Sequence, residues 1–188
     1  MTTDISICNT GLLLIGADEI ESFEDETREA RICAATYEIT KQEILQSHPW
    51  LFTKQQIDLA RTAATPIMDF KYEYQIPSET LRIFYKDTLR NDYEVFQDKL
   101  FTDDDAVTIV RQIDPGEENY PPYVVRLLEY AMAEILAASV AQDETTSKLF
   151  NQKKNEQMRK ARGIDSQNQK NRRFNENQLR LTAVRSNG

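Results

Sequence analysis

The sequence is short of the residues that many activities require. It has two cysteines, one histidine and five glycines in 188 residues. Cys8 and Cys33 make neither a disulfide framework nor a metal cluster. Five glycines leave almost no material for a phosphate-cradling loop, and no such motif occurs. The lone His48 sits in Ser47-His48-Pro49-Trp50. A Ser beside a His in sequence is not a catalytic triad, because the roles depend on spatial geometry. No run of about 18 apolar residues is present, and no basic-then-apolar leader opens the chain. The expectation is a soluble protein that makes no membrane contact and is not exported by its own signal. Positive charge is scarce too: 23 Lys/Arg stand against 31 Asp/Glu, a net charge of −8. That balance argues against a protein that coats DNA nonspecifically.

What is present is a core and an uneven charge. At 40% hydrophobic and 9% aromatic residues, the chain can bury enough surface to fold. From Phe150 to Gly188 there are ten Lys/Arg and three acids, so this segment carries +7 while the remainder carries −15. An acidic body with a basic end points to a tail made for a partner.

Periodicity sets the organisation. Asp4 reads as the N-cap of a short helix over residues 5–15, closed by Gly16. An acidic loop, 18–26, feeds a second helix, where acids suit the positive helix N-terminus. Ala30, Cys33, Ala34, Tyr37, Ile44 and Leu45 recur at helical spacing, with Lys41 the one polar interruption. Ile32, Ala35 and Ile39 form a second stripe. Pro49 ends the helix near His48. The period then shortens to two in Phe70-Tyr72-Tyr74-Ile76, Leu81-Ile83-Tyr85, a hairpin over 93–102, and Val107-Ile109-Arg111-Ile113. These predict four or five strands in one small antiparallel sheet, ended by the turn Asp114-Pro115-Gly116. Helix resumes at Pro121-Pro122. Its stripe of Val124, Leu127, Leu128, Ala131, Met132, Ile135 and Leu136 is flanked by Val125, Ala133 and Ala137, so it is apolar on most sides. A polar helix follows over about 145–162. After Gly163 the chain is rich in Asn, Gln and Arg, and is expected to be disordered in the free protein.

The expected fold is therefore α+β, mainly α: an antiparallel helical bundle (1–50 and 120–162), an inserted small antiparallel β lobe (51–119) and an extended polar, basic C-terminal tail (163–188). Trp50 and Phe52 are expected to be buried between the helices and the sheet. No catalytic constellation emerges. Asp103-Asp104-Asp105 lacks the alternating ligands and central glycine of a calcium loop, and reads as a solvated turn. Glu24, Cys33 and Thr40 come near the Glu-x8-Cys-x5-Thr spacing of phage-type lysozymes. Here six residues separate Cys33 from Thr40, and Cys33 lies on a helical stripe, so that reading is set aside. The expectation is no enzyme, no metal and no cofactor.

Asn9-x2-Leu12-x3-Gly16, the acidic loop and the helix ending in His48-Pro49-Trp50-x-Phe52 together resemble the podovirus tail tubular protein A family, the head-to-tail adaptors (connectors) of tailed phages. Tyr72-x-Tyr74-x-Ile76-Pro77, Leu81-Arg82-Ile83, Tyr93-x-Val95, Leu100-x-Thr102-Asp103 and the Pro121-Pro122 helix continue the likeness over about residues 5–162. The resemblance implies a structural virion protein, made in the host cytoplasm and located in the neck of the tail. It would form a homo-oligomeric ring, usually a dodecamer, below the portal protein, seat the tail nozzle protein and continue the DNA channel. Genomic DNA would pass without sequence-specific binding, helped by an acidic wall that does not hold phosphates. The C-terminal segment would bind the portal, with Arg159, Arg162, Lys170, Arg172 and Arg173 as the cations and Phe174 as an apolar anchor. Ile32, Ala35, Ile39, Val125, Ala133 and Ala137 are the candidates for contacts between subunits. The alternative is a small nucleic-acid-binding or packaging accessory protein that uses the basic tail.

Overall fold

The computed structural model describes residues 2–64, 66, 69–86 and 93–168. Among them are four α-helices and two small antiparallel sheets, a mixed α+β fold.

Helix α1 spans Asp4–Leu14. Its N-cap is Thr3, not Asp4: Thr3 Oγ1 accepts from the Ser6 amide at 3.1 Å, and Ser6 Oγ from the Thr3 amide at 2.8 Å. Two otherwise orphaned donors are satisfied by this reciprocal pair, and Asp4 becomes the acid of the first turn. Gly16, at φ +75°, turns the chain out of the helix. Helix α2, Arg28–Gln46, starts from Thr27, whose hydroxyl accepts from the Ala30 amide. It stops short of Pro49 as expected, and Ala30, Cys33, Tyr37, Ile44 and Leu45 face inward.

Helix α3, Pro122–Ser139, packs against α1, α2 and α4. Gly11 of α1 permits the close approach. A Cβ there would stand 3.1 Å from Met132 Cβ and 3.3 Å from the Ala133 amide nitrogen. Ala133 and Ala137 are fully buried, which corrects their placement on an outer, subunit-facing stripe. The periodicity of α3 is blurred because its sides are covered within the chain itself.

Helix α4, Glu144–Asn168, begins where Asp143 Oδ1 accepts from the amides of Thr145 and Thr146. It continues through Gly163 to the last described residue, so the boundary expected at 162 is too early by at least six residues. Gly163 costs helix stability on the order of 1 kcal/mol relative to Ala. Tertiary bonds of Asp165, described below, lie two residues further on and tie this turn down.

Between α2 and α3 the described residues form seven strands in two sheets, where four or five in one sheet were expected. One sheet has the order β1 (Lys54–Asp58), β7 (Thr108–Gln112), β4 (Arg82–Lys86). The other has the order β2 (Ala60–Arg61), β3 (Tyr72–Gln75), β6 (Lys99–Thr102), β5 (Tyr93–Phe96). Strand β1 was illegible because Lys-Gln-Gln-Ile-Asp shows no alternation. As an edge strand it is half-buried only at Lys54 and Ile57 and exposed elsewhere. The hairpin of β5 and β6 turns on Gln97-Asp98, with Gln97 at φ +56°. Leu59, Tyr74, Ile76, Leu100, Val107 and Ile109 form one small core shared by the two sheets. A separate, larger core belongs to the helices and includes Trp50. No described helix is long and apolar enough to cross a membrane.

Candidate functional site

Two places collect the residues singled out above: the joint after α2, and the flank of the helices where α2 and α4 run side by side.

At the joint, Trp50 is completely buried and Phe52 half-buried. Trp50 Nε1 donates to the Ile44 carbonyl at 2.9 Å. The His48 ring meets the indole edge-on at 4.6 Å, and Phe52 and Tyr123 each lie 6.3 Å from it. Phe52 also packs edge-on against Tyr120. The last turn of α2 is thereby bound to the start of β1, and Gln112 of β7 reinforces the joint by donating to the Leu45 and His48 carbonyls.

Asp165, also completely buried, completes this joint from α4. Its carboxylate accepts from the Leu51 amide at 2.9 Å and from the Tyr123 hydroxyl at 3.3 Å, and stands 3.4 Å from His48 Nε2. Burial, then the neighbouring Asp165 charge, pushes the Tyr123 phenol up to about 12. Burial also lowers the pKa of His48 below its ordinary 6.5; Asp165 opposes this, while the Arg162 and Lys54 charges assist it. A histidine held neutral by the fold contributes stability above pH 6.5 that is lost as pH falls below that value through the folded pKa. The melting temperature should therefore fall as pH drops from 7.5 toward 5.5, and more steeply than in His48→Gln. Glu129 acts with the opposite sign, since burial raises its pKa, so the difference between the two slopes is the measure. Equal slopes in calorimetric scans would remove His48 from the account.

Lys41, the interruption in the α2 stripe, is buried in a second polar joint. Its ammonium lies 2.8 Å from Glu38, 3.0 Å from Asp114 and 3.1 Å from Glu117. The Tyr37 hydroxyl donates to Glu117, and the Tyr120 hydroxyl to Asp114. Burial alone would lower the Lys41 pKa, but its three carboxylate partners raise it. Burial likewise works against the Asp114 charge, and the bonds from Tyr120, the Gly116 amide and Lys41 hold its pKa below the usual value. The network clamps the turn before α3 onto α2. Among the described residues no group of three His, Cys, Asp or Glu could hold a metal ion.

On the helical flank, α2, α3 and α4 enclose an open groove of about 320 Å³. Its apolar lining is Ile44, Ala131, Ile135 and Met158, and its polar lining includes Glu43, Glu134 and Lys154. Lys154 pairs with Glu134, and Asn151 donates to the same carboxylate. Arg162 reaches across to the Ser47 carbonyl at 3.1 Å.

Of the expected portal contacts, Arg159 and Arg162 are exposed on α4; Lys170, Arg172, Arg173 and Phe174 lie outside the described residues. Of the expected subunit contacts, Ala35 and Ile39 are exposed, Ile39 by 64%. Ile32 and Val125 are half-buried against the helical core, and Ala133 and Ala137 are fully buried. Asp165 was missed. The signal that could have found it is spacing: Met158, Ala161 and Asp165 continue one inward line through Gly163. Neither a protein-family model nor a curated protein matches the chain.

Proposed function

We propose that the protein is a structural virion component, a ring-forming head-to-tail adaptor that joins a phage portal to the tail nozzle and continues the DNA channel. In this reading the four helices are one bundle, the two sheets an inserted lobe, and the residues after Asn168 a docking tail. The observation that carries it is the division of charge. Lys148, Arg159, Lys160 and Arg162 are exposed on α4, and five more Lys/Arg follow Asn168 against one acid. Everything before Phe150 is strongly acidic. Opposite charge at a rim steers partners together and is screened by salt.

The test is a mass measurement of the protein alone and mixed with a portal ring. A ring-sized complex that moderate salt weakens is the expected result. A chain truncated after Asn168 should melt like the full chain and fail to join the portal. Truncated protein that joins with unchanged affinity would rule the tail out as the docking element.

The exposed run Arg159-Lys160-x-Arg162 favours one second reading, a nucleic-acid accessory protein that contacts phosphates. Phe174 is the single aromatic among the cations after Phe150, too few for a stacking platform on single strands. Salt-sensitive DNA binding by a monomer, with no portal complex, is the outcome that would select this reading over the adaptor.

A further inference from the structure

The α2/α4 groove and the end of α1 are complementary and lie on opposite flanks of α3. Ala131, Glu134 and Ile135 line the groove, whereas Met132, Ala133 and Leu136 face α1 across Gly11. Residues two apart on a helix point nearly opposite ways, so one surface cannot reach the other within a single chain. One shoulder of the groove is apolar: Ile39 stands one turn before Glu43, on the same side of α2, and is 64% exposed. The other shoulder is basic. Lys148, Asn155, Arg159 and Arg162 recur at intervals of three, four and seven residues, and the bond from Arg162 to Ser47 shows that this flank faces α2. Lys148 also makes an exposed pair with Glu144 at 3.4 Å, which an incoming acid would share or replace. At the end of α1, Leu13 and Leu14 are 59% and 37% exposed. The exposed acids Asp18 and Glu19 follow them after the turn at Gly16.

We propose that the occupant of the groove is a second copy of this chain: Leu13 and Leu14 of one copy seat against Ile39 and the apolar groove lining of the next, and Asp18 and Glu19 pair with Lys148 and Arg159. The proposal rests on the ring reading and assigns the faces that meet. Different patches on opposite flanks make a heterologous contact, which closes into a ring or propagates as a filament. Glu43 is the one exposed acid among the residues lining the groove, and it stands on the α2 side one turn after Ile39. Glu134 is already neutralised by Lys154.

Charge exchange tests this. The full chain, the double variant Asp18→Lys/Glu19→Lys and the double variant Lys148→Glu/Arg159→Glu are compared by analytical ultracentrifugation across a concentration series, with circular dichroism melts as the folding control. Each variant alone should self-associate about tenfold more weakly than wild type. An equimolar mixture of the two should recover assembly, because every contact in an alternating arrangement then joins opposite charges. Knob-to-knob pairing would leave the Lys148→Glu/Arg159→Glu variant associating like wild type, and groove-to-groove pairing would leave the Asp18→Lys/Glu19→Lys variant doing so; only the alternating contact weakens both.

Wild-type assembly that both variants match overturns this contact while leaving the ring reading intact. Failure of the mixture to recover overturns it as well. So does a wild-type chain that stays monomeric throughout the series, as it would if residues 169–188 of the same chain filled the groove. The ring reading is judged separately, by the mass of the mixture with a portal ring.

Discussion

Trp50→Ala is expected to lower stability by roughly 3–5 kcal/mol, the usual range for truncating a large buried aromatic. The indole touches His48, Phe52 and Tyr123 and donates to the Ile44 carbonyl, all in a fully buried setting. Alanine would leave a cavity and take one donor from that carbonyl, which the Ser47 hydroxyl and amide still reach. The surroundings have little freedom to collapse into the space, because Gln112 and Asp165 fix the backbone on either side of it. Trp50 is the only tryptophan, so wild-type emission should be blue-shifted and should move to the red in a single denaturation transition. Water-exposed emission from the folded protein, or a mutant with the wild-type denaturation midpoint, would show that this side chain does not hold the joint.

Asp165→Ala should cost about 2 kcal/mol, since a donor left without its acceptor costs roughly 1–3 kcal/mol when buried and these two are part-buried. Leu51 N–H and the Tyr123 hydroxyl are the donors that lose a partner. Asp165→Asn keeps one carbonyl oxygen and should lose less. Truncation after Arg162 removes the same acceptor and should be at least as damaging, whereas truncation after Asn168 should leave the melting curve in place. Denaturant titrations of the four proteins make the comparison. Matching midpoints for the two truncations would mean that α4 beyond Arg162 adds nothing to the fold.

These two residues differ in how visible they were. Trp50 follows His48-Pro49, where helical geometry must stop, and an apolar residue at such a corner has few places to go but inward. Asp165 looked like one more polar residue in a segment of Asn, Gln and Arg. A carboxylate's burial depends on which donors the rest of the chain brings to it, and Leu51 and Tyr123 are 114 and 42 residues away. The same reason explains Lys41. It broke an otherwise apolar stripe, yet it is buried because Asp114 and Glu117 arrive from the far end of the strands.

The helices could be read with little loss because their signals are local: caps, prolines and an apolar stripe of period 3.6 lie within each segment. The boundary at Gly163 failed because glycine's intrinsic penalty in a helix is small beside a tertiary anchor. Strands β3 to β7 announced themselves by alternation, while β1 and β2 did not, since their partners and not their own side chains make them strands. The contact surfaces divide in the same way. Composition alone established an acidic chain with a basic end, because charge is a property of residues. Only packing decided that Ala133 and Ala137 are fully buried while Ile39, Leu13 and Leu14 stay at the surface. A helical stripe records that a side is apolar; which neighbour covers it is settled by helices that meet across long sequence separations.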